Sequence, residues 1–323
     1  MDLRKLLPIT ILVLFSQAGF SHDSECLNLD GQEFSRPCIE RLIPRSLDAE
    51  NNMLTPMEKP LIVVIGASGR TGRFVLEGLA NKDVHIRALS RNIERASADI
   101  SGNYEWVQAD VTQPETLVMA FQGSDIIIST IGAKPGKGPD GPESVVYKGV
   151  INLVDEAKRA GAQHIIYMSS IGAGGAENFS TTFLNLFMNK TLKWKSLGEE
   201  YMRNSGIDFT IIRPGGLRGE PGVSGIKFGQ GDEIMGYIPR EDVAEVMIES
   251  AFNLDAVNKT FEIINDENLP VGAWRDEFKN LKTGEYGTIA SGNLPVSYWV
   301  ALFVLLILIV VLIRRRRMRK KAA

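Results

Sequence analysis

Three glycines at intervals of three residues, Gly66, Gly69 and Gly72, form the clearest chemical motif of this 323-residue chain. The apolar run 61–65 before them is typical of a buried strand, and a helical pattern over 71–81 follows. Glycine permits a tight turn and a close approach to a ligand, while the free N–H groups and dipole of a helix N-terminus attract an anion. This order predicts a site for the diphosphate of a dinucleotide, with a ligand-free turn as the alternative. The expected contacts are Gly66, Ser68, Gly69, Arg70, Thr71 and Gly72.

A basic residue follows the next predicted strand, 84–89. Arg91 stands about 20 positions after the glycine turn, where an acidic side chain would accept the ribose 2′-hydroxyl of NAD(H). A guanidinium instead matches a 2′-phosphate bidentately, and Arg70 and Arg95 add positive charge nearby. These residue types favour NADP(H), with NAD(H) as the alternative cofactor. The competing interpretation of Arg91 is an exposed loop residue without a ligand.

Three later strand ends supply further candidate contacts, since ligands bind at the carboxyl edge of such a sheet. Asp110 closes the third predicted strand and is expected to accept the adenine amino group, unless it only caps the helix that begins at Pro114. The segment 129–132 closes the fourth strand and is expected to line the ribose and nicotinamide, beside the bend that follows the sixth strand. The candidate contacts from these strand ends are Asp110, Val111, Thr130, Ile131, Gly132 and Pro214.

Strands and helices alternate between residues 59 and 283. Predicted strands span 61–65, 84–89, 105–108, 125–131, 164–168, 208–212 and 260–264. Predicted helices span 71–81, 114–121, 143–160, 182–204, 240–253 and 272–281. Apolar strands alternating with helices predict an α/β, Rossmann-like, doubly wound parallel sheet covered on both faces. The glycine-rich segment 217–238 is expected to be a flexible loop that closes over a substrate or partner, or a plain surface loop.

Both ends of the chain predict a connection with a membrane. Residues 1–22 have the basic start and short apolar run of a secretory signal peptide, with an uncleaved anchor or a buried helix as alternatives. Residues 296–313 are uncharged and long enough for a transmembrane helix. The positive-inside rule places the basic tail 314–323 in the cytoplasm. The folded domain is then expected on the non-cytoplasmic side, in a periplasm or the lumen of the endoplasmic reticulum.

The connecting segments and the charge complete this organisation. The extension 23–58 carries Cys26 and Cys38, which either form one small disulfide loop or stay free thiols, and 284–295 is predicted as a juxtamembrane linker. The histidines lack metal-ligand spacing, so no metal site is expected. The chain has a net charge of −3, and seven basic residues lie after Ile313, so residues 1–313 carry a net charge of −10. The folded part is therefore acidic, and the basic face that is typical of a nucleic-acid-binding protein is not evident in it.

Six motifs occur in order along the domain: Gly-Ala-Ser-Gly-Arg-Thr-Gly (66–72), Leu-Ser-Arg (89–91), Gln-Ala-Asp-Val (108–111), Ser-Ser-Ile-Gly (169–172), Arg-Asn-Ser-Gly-Ile-Asp-Phe-Thr-Ile-Ile-Arg-Pro-Gly (203–215) and Pro-Arg-Glu-Asp-Val-Ala (239–244). With these motifs, the run from about 60 to 283 resembles the atypical short-chain dehydrogenase/reductase superfamily, the NmrA-like or NAD(P)H-binding group. The resemblance implies a cofactor-binding Rossmann domain.

The resemblance also implies a serine, a tyrosine and a lysine, with the tyrosine four residues before the lysine. The tyrosine hydroxyl donates a proton to the substrate oxygen, and the lysine lowers its pKa and holds the nicotinamide ribose. Ser169 or Ser170 matches the serine position and Lys195 matches the lysine, but Thr191 stands where the tyrosine is expected. Ser170 and Lys195 are therefore the catalytic candidates. The alternative for Lys195 is a ribose contact or an exposed position.

The leading hypothesis from the sequence is a membrane-anchored, NADP(H)-dependent oxidoreductase that acts on a small organic substrate. Its proton would come from Ser170, from water or from the substrate itself. The alternative, favoured by the missing tyrosine, is a non-catalytic NADP(H)-binding sensor or an assembly or scaffold factor of a membrane complex. An isomerase or epimerase that uses the cofactor transiently is a third hypothesis.

Overall fold

The computed structural model describes residues 26–27, 33–34, 59–175, 190–219, 222, 224–290, 303–304 and 307–309. The chain divides into two compact units, Met1–Glu58 and Lys59–Ala323. In the first unit, the described residues form an antiparallel pair of short strands, β1 (Cys26–Leu27) and β2 (Glu33–Phe34).

Most strands of the second unit belong to one large sheet. The strands are β3 (Leu61–Ile65), β4 (His85–Ser90), β5 (Glu105–Gln108), β6 (Ile126–Ser129), β7 (His164–Met168), β8 (Asp208–Pro214), β9 (Gly216–Arg218), β10 (Gly225–Gly229), β11 (Tyr237–Pro239) and β12 (Lys259–Asp266). Eight of them form a sheet in the order β5-β4-β3-β6-β7-β8-β12-β10, while β9 and β11 form a separate parallel pair. All neighbours in the large sheet are parallel except β10, which pairs antiparallel with β12 at one edge.

Helices connect the strands and cover the sheet. The α-helices are α1 (Gly72–Leu79), α2 (Ile93–Asp99), α3 (Glu115–Ala120), α4 (Gly149–Ala160), α5 (Thr191–Arg203) and α6 (Arg240–Phe252). A π-helical segment, Glu143–Lys148, runs directly into α4, and 3₁₀ helices span Leu254–Ala256 and Ala273–Asn280.

The apolar run of β3 is continuous because both of its faces are buried. Ile62 and Val64 belong to the apolar cluster that contains residues of α1 and α6. Val63 and Ile65 belong to the opposite cluster, which contains residues of α3, α4 and α5. Successive side chains of a strand point to opposite faces, so a strand between two helical layers has no polar face. The predicted Rossmann-like, doubly wound sheet is confirmed.

The segment 217–238 differs from the prediction of a glycine-rich loop. It contributes β10 to the edge of the large sheet, and most of β9 and the start of β11 to the small one. β10 forms because its backbone pairs with β12, with Gly225 opposite Asp266 and Gly229 opposite Glu262. Such pairing joins distant parts of the chain, and a composition rich in glycine does not predict it locally.

The predicted placement as a single-pass membrane protein, with the domain on the non-cytoplasmic side, is corrected by the structure. A membrane-spanning helix requires roughly 20 consecutive, mainly apolar residues. Across the described ranges, no helix meets this requirement of length and apolar character. The predicted signal segment 1–22 and basic tail 314–323 lie outside the described residues, as does most of the stretch 296–313.

Candidate functional site

A cavity of about 210 Å³ lies at the carboxyl ends of β3, β4 and β6. The strand order reverses between β3 and β6, so this cavity lies at the topological switch point, where open α/β sheets bind ligands. Ligand pockets commonly measure roughly 300–1,000 Å³, so this cavity is smaller than most of them. We call it the strand-end pocket, and its lining residues are Ile65, Gly66, Ser68, Gly69, Leu89, Ser90, Arg91, Ala109, Asp110, Val111, Thr130, Ile131, Gly132, Lys134, Asp140 and Val145.

The glycine turn on one side of this pocket is held by its own packing. Gly66 has a φ of +78°, and a Cβ on it would lie 2.8 Å from Thr130 Oγ1. A Cβ on Gly72 would lie 2.2 Å from the carbonyl oxygen of Gly66. Thr130 Oγ1 lies 3.1 Å from the Ile65 carbonyl oxygen and 3.2 Å from that of Gly66. The glycines are thus required by the packing of the turn itself.

Helix α1 begins at the end of this turn and suits an anion. Within the described part of the chain, its N-cap residue Thr71 makes no side-chain capping hydrogen bond, and its first turn contains no acidic residue. The first N–H groups of a helix generally have no partner inside the helix, although here those of Gly69 and Arg73 already donate to the carbonyls of Gly66 and Gly69. The helix dipole adds positive potential at this end of α1. The segment from Gly66 to Gly72 therefore fits the diphosphate of a dinucleotide.

A cluster of charged side chains also lines the pocket. Arg91, which follows β4, donates from Nη1 to Asp140 Oδ1 at 2.5 Å, and Lys134 donates from Nζ to Asp140 Oδ2 at 2.9 Å. Hydrogen bonds from Lys134 and Arg91, together with their charges, hold the pKa of Asp140 below its usual range. The sequence analysis identified Arg91 but missed Lys134 and Asp140. These two residues meet Arg91 only because β4 and β6 flank the same strand.

Asp110 lines the same pocket and does not cap α3. Its Oδ1 accepts hydrogen bonds from the backbone N–H and from the hydroxyl of Thr112, at 2.9 and 2.8 Å. The carboxylate therefore stabilises the turn after β5, and α3 starts after Pro114 without a side-chain cap. Its predicted contact with the adenine amino group stays a prediction, as does the role of the neighbouring Val111.

The two catalytic candidates lie outside the lining of the strand-end pocket. Ser170 donates its hydroxyl hydrogen to the carbonyl of the next residue at 3.0 Å. Lys195 is buried, and its Nζ donates to the carbonyl oxygens of Met168 and Ser169 at 3.2 and 3.1 Å. Burial lowers the pKa of Lys195 to about 8, against the opposing charge of Glu199. Lys195 thus binds the carboxyl end of β7, and its catalytic role stays a prediction.

A buried charge cluster, which the sequence analysis missed, lies beside these residues. Arg213 donates from Nε and Nη2 to the two carboxylate oxygens of Glu199, at 3.1 and 2.6 Å. Its Nη1 donates to Glu262 Oε1 at 3.1 Å. Burial would raise the pKa of Glu199, but the arginines and the hydroxyl of Ser169 outweigh it and the net pKa is lowered. Burial raises the pKa of Glu262 to about 7, although Arg213 opposes this.

The end of β8 contains Pro214, a predicted cofactor contact, and lies beside the start of the predicted linker 284–295. Pro214, predicted beside the nicotinamide, is buried and accepts a hydrogen bond from the Ile171 N–H at 3.1 Å, outside the pocket lining. The first residues of the predicted linker contact the domain here. Arg213 Nη2 donates to the carbonyl of Tyr286 at 2.8 Å, and the N–H of Thr288 donates to the carbonyl of Gly174 at 2.6 Å. This stretch of chain covers the buried charges.

A family model described as NAD(P)H-binding matches residues 66–253. The chain belongs to this family. The predicted assignment to the NmrA-like group of atypical short-chain dehydrogenases/reductases is confirmed. An NAD(P)H-binding domain is thereby established, while the preference between the two cofactors is not decided by the match.

Three relatives and one solved structure are similar to this chain. A chloroplastic protein of Arabidopsis thaliana is 32% identical over 73% of this chain and 86% of its own. Sanguinarine reductase of Eschscholzia californica is 27% identical over 71% of this chain and 97% of its own. The photosystem II assembly factor Ycf39 of Cyanophora paradoxa is 30% identical over 47% of this chain and 44% of its own. The oxidoreductase ylbE of Lactococcus lactis shares the fold, with a TM-score of 0.58, 23% identity, and 68% and 95% coverage.

The name of the Arabidopsis relative also disagrees with the predicted compartment. That protein is named as chloroplastic, which matches neither a periplasm nor the lumen of the endoplasmic reticulum. Together with the absence of a spanning helix among the described residues, this finding overturns the predicted localisation.

Proposed function

We propose that this protein is an NADP(H)-dependent oxidoreductase that transfers a hydride between C4 of the nicotinamide and a small organic substrate. The observation that supports this most is a pair of cations, Arg91 and Lys134, that line the same pocket as the glycine turn. A guanidinium and an ammonium in the same pocket as a diphosphate site suit the 2′-phosphate of NADP(H). The relative named sanguinarine reductase supports the reductive chemistry.

Each part of the site has a distinct task in this proposal. The segment from Gly66 to Gly72 holds the diphosphate, Arg91 holds the 2′-phosphate, and Asp110 contacts the adenine. The loop from Thr130 to Gly132 lines the ribose on the way to the nicotinamide, which supplies or accepts the hydride. The proton comes from Ser170, from water or from the substrate itself, because Thr191 replaces the usual tyrosine.

A non-catalytic NADP(H)-binding sensor or assembly factor of a protein complex is the second candidate. Three observations favour it: Thr191 stands in the tyrosine position, Lys195 binds backbone carbonyls, and the hydroxyl of Ser169 donates to Glu199. The relative named photosystem II assembly factor Ycf39 supports a role of this class. Cofactor binding without turnover distinguishes this candidate from the enzyme.

Titration of the full chain with NADPH and NADH, followed by turnover assays with carbonyl and quinone acceptors, tests both candidates. Tight NADPH binding with substrate-dependent NADPH consumption supports the oxidoreductase, and binding without consumption supports the sensor. Arg91→Gln should weaken NADPH binding about tenfold or more, and NADH binding far less, because a charged hydrogen bond is lost. Arg95→Gln is the matched control, since Arg95 is exposed outside the pocket lining. Binding of neither nucleotide would refute both candidates.

A further inference from the structure

The carboxylate of Asp140 occupies a position between two cations that come from different parts of the fold. Arg91 reaches it from the end of β4, and Lys134 reaches it from the loop that follows β6. The N–H of Lys134 also donates to the carbonyl of Asp140 at 2.9 Å, which closes residues 134–140 into a compact loop. We call this segment the 134–140 loop. It brings one carboxylate and one ammonium to the same wall of the strand-end pocket.

An acidic residue at this place has a direct consequence for a phosphate ligand. A phosphate monoester carries a charge of about −1.5 to −2 and three acceptor oxygens, against one charge and two oxygens for a carboxylate. Both ligands need the same two cations, and a carboxylate left beside the phosphate would repel it. NAD(H) carries a neutral hydroxyl at this position, so it does not compete with Asp140 for Arg91 and Lys134.

The ion pairs of Asp140 are of the kind that exchanges readily. The side chains of Arg91, Lys134 and Asp140 are 59%, 70% and 43% exposed. Ion pairs between exposed side chains contribute little to stability, since water screens them and both side chains lose freedom. An incoming dianion can therefore displace the carboxylate without disturbing the core.

We propose that Asp140 is an internal competitor for the 2′-phosphate of NADP(H), released from Arg91 and Lys134 when that phosphate binds. This inference rests on the proposed NADP(H) site. Asp140 would then be a specificity-determining residue, because it weakens the binding of NADPH but not that of NADH. Lys134 would be the second cation of the phosphate site, together with Arg91.

Dissociation constants of the full chain and its variants for four nucleotides test this inference. NADPH and 2′,5′-ADP carry the 2′-phosphate, while NADH and 5′-AMP lack it. Asp140→Asn should tighten binding of the first two by roughly two- to fivefold and leave the other two unchanged. Lys134→Gln should weaken the first two only. Asp83→Asn is the matched control. Asp83 forms an exposed ion pair with Lys59 and precedes β4, so it lies at the amino end of this strand, away from the pocket.

The outcomes separate this inference from the proposed function. If wild type binds NADPH but Asp140→Asn leaves the NADPH-to-NADH affinity ratio unchanged, or shifts it towards NADH, the competitor role of Asp140 is refuted and the NADP(H) site stands. If wild type binds neither dinucleotide, the proposed function and this inference fail together. Circular dichroism and thermal melting check that each variant is folded, as expected for exposed positions.

Discussion

The free energy of unfolding of the wild-type protein should fall as the pH rises, and Glu262→Gln should prevent most of this fall. Glu262 is fully buried on β12, and its Oε1 shares Arg213 with Glu199. Its Oε2 has no hydrogen-bond partner among the described residues, and Asp232 adds negative charge nearby. Burial therefore raises the pKa of Glu262 from 4.5 to about 7, with Arg213 in opposition. Below this pKa the folded protein holds a proton on the side chain.

The direction and size of the effect follow from this raised pKa. Between pH 4.5 and 7 the unfolded chain has released the proton that the folded protein keeps, so the free energy of unfolding falls as the pH rises. From pH 5.5 to pH 8 the fall amounts to about 2 kcal/mol. For a domain of this size, that corresponds to a decrease in Tm of roughly 4–8 °C. Glutamine keeps the shape of the protonated acid and cannot ionise.

Urea unfolding followed by circular dichroism at several pH values between 5.5 and 8 measures this effect. Glu262→Gln should match wild type near pH 5.5 and exceed its stability at pH 8. Glu105→Gln is the control, since Glu105 also lies on a strand and pairs with an arginine but is 56% exposed. The control should keep the wild-type pH dependence. Parallel pH profiles for wild type and Glu262→Gln would show that the buried carboxylate does not titrate in this range, and the reasoning would fail.

Three further substitutions test the packing around the site. Arg213→Met should lower the free energy of unfolding at pH 8 by about 3–5 kcal/mol, because it removes the cation that the buried carboxylates of Glu199 and Glu262 share. Urea unfolding measures this loss, and a loss near zero contradicts the buried cluster. Gly66→Ala should be about 1–3 kcal/mol more destabilising than Gly161→Ala. Both glycines have a φ of +78°, but only a Cβ on Gly66 would have a neighbouring atom within 4 Å. Equal losses of stability in thermal melts would argue against a clash with the loop after β6. Tyr286→Ala should lower the free energy of unfolding by about 1 kcal/mol, because the ring of Tyr286 contacts Phe209 and Arg203. Tyr286→Phe keeps the ring and should keep this stability. Identical melting curves for the two variants would contradict these contacts.

Local sequence patterns predicted most of the layered fold. The predicted strand 61–65 coincides with β3, because a continuous apolar run ends abruptly at a glycine turn. The predicted strand 164–168 coincides with β7, whose residues are all buried, and the predicted strand 105–108 coincides with β5. Helix α2 was missed, since it is short and its only buried side chain is Ala96. A helix with so little apolar surface leaves no periodic pattern in the sequence.

The charged residues of the site were harder to predict. Arg91 was found from its spacing after the glycine turn, but Asp140, its partner, is 49 positions away. Glu199 and Glu262 look like surface residues in the sequence, and both are fully buried against Arg213. Burial of a charge depends on a partner brought by another element, so no local pattern reports it.

The sequence by itself determined the α/β class and the glycine turn, because strand burial, tight turning and helix initiation depend on residues that are neighbours in the chain. Only the tertiary structure decided which charges meet. The order of β4, β3 and β6 brings Asp140 to Arg91, and the pairing of β8 with β12 brings Glu262 to Arg213. The glycine turn thus predicted a dinucleotide site, while the long-range arrangement of strands set the charges that surround it.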